Sequence, residues 1–198
     1  MPRGTIAVVC SCLVLAAGGA ALAQSSPGER DDFRPAAGFM LQGRMLSYVG
    51  ASSGSAVVLY TPAGPGAAFG YRGRGWSLAF SPSYTSNGLS ERGAAGRVSA
   101  FGFTAMVEAV VARALGGRAE LNLLGGFGVA LYDSGDYDPG VGAFAGVGGR
   151  YWVSRGLGLG VAFGESYSVA TWSSVADRAK FDTFATFGAV DVTFVFGD

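Results

Sequence analysis

The sequence predicts an all-β chain: an eight-stranded antiparallel up-and-down transmembrane β-barrel, preceded by a cleaved signal peptide. Three observations predict it. Apolar residues alternate with small or polar ones at period two over most of residues 38–196, and the side chains of a strand alternate faces with that period. No long apolar run follows the N-terminal region, although 49% of the 198 residues are hydrophobic. The apolar residues are therefore spread along many short segments, as in strands that cross a bilayer at a tilt. Finally, three tight turns containing Gly alternate with longer polar connections, which gives short turns on one side of a barrel and long loops on the other.

Residues 1–23 read as a signal peptide. Arg3 supplies the positive end, Ile6 to Leu15 begins the apolar core, and Ala21-Leu22-Ala23 forms a cleavage site before Gln24. Both cysteines, Cys10 and Cys12, lie inside it, away from where a lipid-anchored cysteine would stand. The mature chain is expected to have neither disulfide nor thiol, which excludes a cysteine nucleophile or a thiolate metal site. Residues 24–37 (QSSPGERDDFRPAA) are polar, punctuated by Pro and without period, so they read as a flexible tail. The barrel occupies residues 38–198. With 14 basic and 14 acidic residues nothing suggests the clustered basic face that nucleic acid requires.

In the first strand Phe39, Leu41, Met45 and Val49 alternate with Met40, Gln42, Arg44 and Tyr48, giving a polar inner face. Ala56 to Tyr60 could be strand, but Pro62 and Pro65 follow, and proline sits poorly in a paired strand. Strands are expected on either side of Gly73-Arg74-Gly75. There Trp76, Leu78 and Phe80 look lipid-facing, a parity that also turns Arg72 outward. Thr85 to Gly96 reads as a polar loop. Phe101 to Val111 and Leu121 to Leu131 carry odd-numbered apolar faces about the turn Leu115-Gly116-Gly117, with Glu108, Glu120 and Asn122 inside. The segment TAMVEAVVARAL is rich in helix formers, yet the unbroken alternation favours strand.

The hairpin from Gly140 to Val169 is the plainest. Val141, Val147, Tyr151, Leu159, Val161 and Phe163 fall on one parity, with many glycines between. The turn Ser154-Arg155-Gly156 carries Gly third, where a three-residue loop wants a left-handed residue. Gly75 and Gly117 occupy the same place in the other two turns. Such loops pair odd with odd, here Val153 with Leu157 and Val111 with Leu121. They also set Trp152 opposite Gly158 and Arg150 opposite Gly160. The last strand alternates Phe184, Val190, Val192, Phe194 and Phe196 with Ala185, Phe187, Ala189, Asp191, Thr193 and Val195. Eight strands of about ten residues span an apolar band, and closure leaves no unpaired edge in lipid. Tyr48, Tyr84, Tyr132 and Tyr167 near the long-loop ends, and Trp76 and Tyr151 near the short turns, suit interfacial aromatic girdles.

On Gly146 to Leu159, which reads G-x-G-G-R-Y-x-x-x-x-x-L-x-L, and on the aromatic-rich last strand, the chain resembles the small eight-stranded outer-membrane proteins of Gram-negative bacteria, of the outer-membrane protein A and X type. The resemblance implies residence in the outer membrane, with its lipid and the barrel-insertion machinery as partners. It also implies an assembly signal in the last strand, at Val190, Val192, Phe194 and Phe196. Gly197 and Asp198 follow the aromatic that would usually be terminal.

The candidate functional residues are inward charges. Arg44, Glu108, Glu120, Arg150 and Asp191 take inward parity. An eight-stranded barrel is just wide enough for side chains to fill it, so these are expected to form a lumen ion network. The chain has no His, which the enzymatic outer-membrane barrels need, and general-base activation of Ser by His is impossible. Asp133, Asp136 and Asp138 lack the spacing of an EF-hand loop and read as a solvated acidic loop. No catalytic residue, metal site or cofactor is expected. The leading function is a non-enzymatic membrane barrel with a structural or surface-contact role. A small pore, and a soluble periplasmic ligand-binding barrel of lipocalin type with its apolar face inward, are the alternatives.

Overall fold

The computed structural model describes residues 33–53, 58–91, 94–132, 139–171 and 180–197. They form eight strands: β1 (Gly38–Ser53), β2 (Val58–Arg72), β3 (Trp76–Glu91), β4 (Ala94–Ala114), β5 (Ala119–Tyr132), β6 (Gly140–Ser154), β7 (Leu157–Thr171) and β8 (Lys180–Phe196). Each pairs antiparallel with its sequence neighbours and β8 closes on β1. The helix-forming composition of residues 104–115 is overridden: all but the last lie in β4.

The outer wall is apolar. Phe39, Tyr71, Leu78, Phe127, Phe163 and Phe196 are among the large hydrophobic side chains left exposed, whereas Met40, Gln42, Arg72, Trp152 and Thr193 are fully buried inside. Such a surface would aggregate in water and fits hydrocarbon. It is the reverse of the lipocalin-type alternative. At the short-turn end the wall carries Tyr71 against Trp76, ring centroids 5.8 Å apart, and Phe39 against Phe196 at 6.4 Å. Tyr48 turns into the lumen, its ring 6.2 Å from Phe187.

The strands run from 14 residues in β5 to 21 in β4, beyond the expected ten. The segment read as a polar loop, Thr85 to Gly96, is instead mostly ladder: Ser86 pairs with Ser99 and Glu91 with Ala94. Above the bilayer neither face needs apolar residues, so alternation fades while backbone pairing continues. β2 likewise runs through Pro62 and Pro65. Both fall between the Tyr60–Gly88 and Gly66–Ser83 pairs, where the β2–β3 ladder is interrupted, so their missing N–H groups cost no bond on that side.

The three short turns are not of one design, and this corrects the expected parity of Arg72. The β2–β3 turn is a two-residue loop closed by the Gly73 N–H donating to the Trp76 carbonyl at 2.8 Å. With no bulge beside it, Arg72 pairs with Ser77 and Tyr71 with Leu78. Odd residues of β2 therefore share a face with even residues of β3. Phe69 and Tyr71 point out with Leu78 and Phe80, and Arg72 points in. In the β6–β7 hairpin Ser154 pairs with Leu157, not Val153, and a bulge at Val153 restores the expected pairs Trp152–Gly158 and Arg150–Gly160. In the β4–β5 hairpin a four-residue turn, 115–118, is followed by a bulge at Val111, so Ala112, not Val111, pairs with Leu121. One extra residue on one strand reverses the parity that the loop alone would set.

The glycines follow suit. Gly117 has the expected left-handed conformation, φ 87°, with Gly116 and Leu115 also at positive φ. Gly75 and Gly156 have no positive φ. Gly156 instead permits close approach, since a Cβ there would stand 2.8 Å from the Val195 carbonyl oxygen. Residues 1–23, with the expected signal, lie outside the described residues. The end of the expected tail does not: residues 33–37 pack against the short-turn end, Ala36 being buried with Met40, Trp152 and Val195.

Candidate functional site

The inward charges meet in the short-turn half of the lumen, where the register brings them to matching heights. Glu120 pairs across the ladder with Arg150 and with Arg113, Glu108 with Ser77, and Asp191 with Arg44. Room for them comes from β7. A Cβ at Gly160 would lie 2.4 Å from Asp191 Oδ2, and one at Gly158 would lie 3.0 Å from Arg150 Cδ and 3.1 Å from the Trp152 ring. The glycine parity of β7 is the mould in which the large side chains of β6 and β8 sit.

Two clusters result. In the first, Arg72 Nη2 lies 2.7 Å from both Glu120 oxygens, Arg113 Nε lies 3.3 Å from Oε1, and Trp152 Nε1–H donates to Oε2 at 2.8 Å. The Arg72 guanidinium also sits 4.5 Å from the Trp152 ring centroid, a cation–π geometry. In the second, Arg150 forms a fork to Glu108 (Nη1 to Oε2 at 2.8 Å, Nη2 to Oε1 at 3.3 Å) and reaches Asp191 Oδ1 at 3.4 Å. Gln42 Nε2 donates to the same Asp191 oxygen at 2.9 Å, the Thr193 hydroxyl donates to it at 2.8 Å, and the Arg44 guanidinium donates to the Gln42 side-chain amide oxygen Oε1. Arg44 Nη1 contacts Met106 Sδ at 3.3 Å.

Of the five residues singled out from sequence, Arg44, Asp191, Arg150 and Glu108 thus share one network and Glu120 anchors a neighbouring one. Sequence reasoning missed Arg72, assigned to the wrong face, and the uncharged members Gln42, Ser77, Trp152 and Thr193. Their signal was available: Arg72 alternates with Phe69 and Tyr71 within its own strand, whatever the next strand does.

Inside the lumen the guanidiniums of Arg44, Arg72 and Arg150 face the carboxylates of Glu108, Glu120 and Asp191, with the more exposed Arg113 as a fourth cation on Glu120. Each carboxylate is held by donors on more than one strand. Among the described residues no group of three His, Cys, Asp or Glu side chains could hold a metal ion. The acidic loop carrying Asp133, Asp136 and Asp138 lies outside the described residues. Beyond the charged half the lumen is, among the described residues, uncharged and mixed: Phe144 stands edge-on to Phe187 at 5.7 Å, and the Ser81 and Ser166 hydroxyls donate to the Ala67 and Ala185 carbonyls.

A closed eight-strand antiparallel barrel, apolar outside and filled with paired charges inside, defines a transmembrane β-barrel of the outer-membrane type. No protein-family model and no curated protein sequence matches the chain. Solved structures do share its fold. Neisserial surface protein A is 16% identical, with a TM-score of 0.62 over 81% of this chain and 99% of that one. The outer membrane protein AlkL, solved in DMPC bilayers, is 12% identical with a TM-score of 0.56 over 88% and 97%. The outer membrane protein OprG from Pseudomonas aeruginosa is 10% identical with a TM-score of 0.54 over 83% and 99%. The fold is that of the small eight-stranded outer-membrane barrels, and the outer membrane is the setting its apolar wall requires.

Proposed function

We propose that the protein is a non-enzymatic outer-membrane barrel that serves as a structural or surface-contact element, its lumen closed by its own side chains. The observation that carries this reading is the network of Arg44, Arg72 and Arg150 with Glu108, Glu120 and Asp191, joined at its rim by Arg113 and roofed by Trp152 at the short-turn end. Buried charges are stable when paired and hydrogen-bonded, and a lumen of eight strands has little room beyond its own side chains. The outward apolar residues of β8 (Val190, Val192, Phe194 and Phe196, all exposed) support contact with lipid and a role as the assembly signal read by the insertion machinery. The connections at the far end, beyond strands that outrun the apolar band, are the parts available to partners at the surface. Purified protein in a planar bilayer tests the closed lumen. The expected record shows at most small and rare conductance steps, and a large steady channel would overturn the proposal in favour of the pore.

A further inference from the structure

The short-turn rim carries a repeated stitch. The Val110 N–H donates to the Gly75 carbonyl at 2.9 Å, the Trp152 N–H to Arg118 at 2.7 Å, and the Val195 N–H to Gly156 at 2.8 Å. Each turn is thereby tied to the strand that follows its hairpin around the ring: β2–β3 to β4, β4–β5 to β6, β6–β7 to β8. The next step around would join β8 to β1. No turn exists there, because these are the last and first strands of the barrel.

Residues 33–37 occupy that place. The Ala36 N–H donates to the Arg155 carbonyl at 2.7 Å, so the segment ahead of β1 reaches past the end of β8 to the β6–β7 turn. Ala36 is buried beside Trp152 and Val195, and Phe33 packs on the same cluster. The Arg118 guanidinium, which donates to the Val153 carbonyl at 3.1 Å, stands 4.3 Å from the Phe33 ring centroid. The crossing is tight. A Cβ at Gly197 would lie 2.0 Å from the Ala37 carbonyl oxygen, and one at Gly38 would lie 2.2 Å from that of Phe196. This gives a physical role to the glycine that follows the last aromatic residue.

We infer that the short-turn mouth is a binding site for the chain's own residues 33–37, which latch β8 to β1 at the seam and close the lumen beneath Trp152. Being tethered to β1, the segment binds intramolecularly, at an effective concentration set by a linker of almost no length. Its contacts with Val195 and its close approach to Gly197 exist only where β8 lies beside β1, so the fully seated segment belongs to the closed barrel.

The test is the temperature at which the folded gel band of membrane-extracted protein converts to the unfolded band. Four proteins are compared: the parent, Gly197→Val, a variant with residues 33–37 replaced by Gly-Ser repeats, and the combination. The Gly-Ser variant should fold but convert about 5–10 °C lower, the shift a few lost contacts give in a chain of this size. Gly197→Val should fall similarly alone and add nothing in the Gly-Ser background, because both remove one interaction. An unchanged temperature in the Gly-Ser variant, or full additivity of Gly197→Val with it, would overturn the latch.

Discussion

Replacing Arg150 by Ala removes the fork to Glu108 and the 3.4 Å contact with Asp191 in one step. Glu108 is then left with the Ser77 hydroxyl at 3.4 Å, whereas Asp191 keeps Gln42 and Thr193. The damage therefore concentrates on Glu108, a buried carboxylate without a counter-charge in contact. Breaking such a pair from one side costs about 3–5 kcal/mol. At a urea slope of about 2 kcal/mol per molar, the unfolding midpoint in detergent micelles should fall by about 2 M. The companion variant Arg150→Met/Glu108→Leu removes both charges and keeps the volume, so it should return to within about 1 kcal/mol of the parent. Tryptophan fluorescence at increasing urea measures all three. A drop below about 0.5 M for Arg150→Ala, or a double variant no better than the single one, would refute the claim that pairing within the lumen governs this half of the barrel.

Three further outcomes follow from the same geometry. Trp152→Ala removes the roof over both clusters, and single-channel recording should show more frequent and larger conductance steps than the parent; an unchanged record would place the closure elsewhere. Gly160→Val forces a side chain onto Asp191, and should lower stability by about 1–3 kcal/mol in the same urea assay, whereas Gly43→Ala, where nothing lies within 4 Å of the added Cβ, should be neutral. In liposomes of brominated lipid, a variant keeping only Trp76 should be quenched and one keeping only Trp152 should not, because the first lies on the wall and the second is fully buried. Equal quenching would mean that the faces are misassigned.

The number of strands, their order and the faces of β1, β6, β7 and β8 were legible because a bilayer demands apolar residues on one parity for the whole span. The β6–β7 pairs Trp152–Gly158 and Arg150–Gly160 were legible because large residues on one strand met glycines on the other. What was hidden is of two kinds. Neither the bulges at Val111 and Val153 nor the two-residue length of the unbulged β2–β3 turn leaves a mark in composition, so a turn motif does not fix the parity relation across it; the face of Arg72 was lost to the unbulged turn. The ends of the strands were hidden because outside the apolar band the pattern has no reason to persist. At the site, charged residues announced themselves by being charged on an inner face. Gln42, Thr193 and the Trp152 N–H fell on the inner parity as well, but an uncharged polar group does not by its identity name the carboxylate it will bond, so their part in the network was not legible.

The difference between bulged and unbulged turns also bears on how the chain can change over generations. At the β4–β5 and β6–β7 hairpins a single-residue gain or loss near the turn has an outlet, since the strand can shed or shift an existing bulge and leave every residue further along on its present face. The β2–β3 hairpin has no such slack near its two-residue turn. One residue inserted at Arg74-Gly75 would, unless a bulge formed to absorb it, exchange the faces of β2 and carry Arg72 from the lumen into hydrocarbon. Length variation among descendants of this sequence should accumulate at two of the three short turns and be purged at the third.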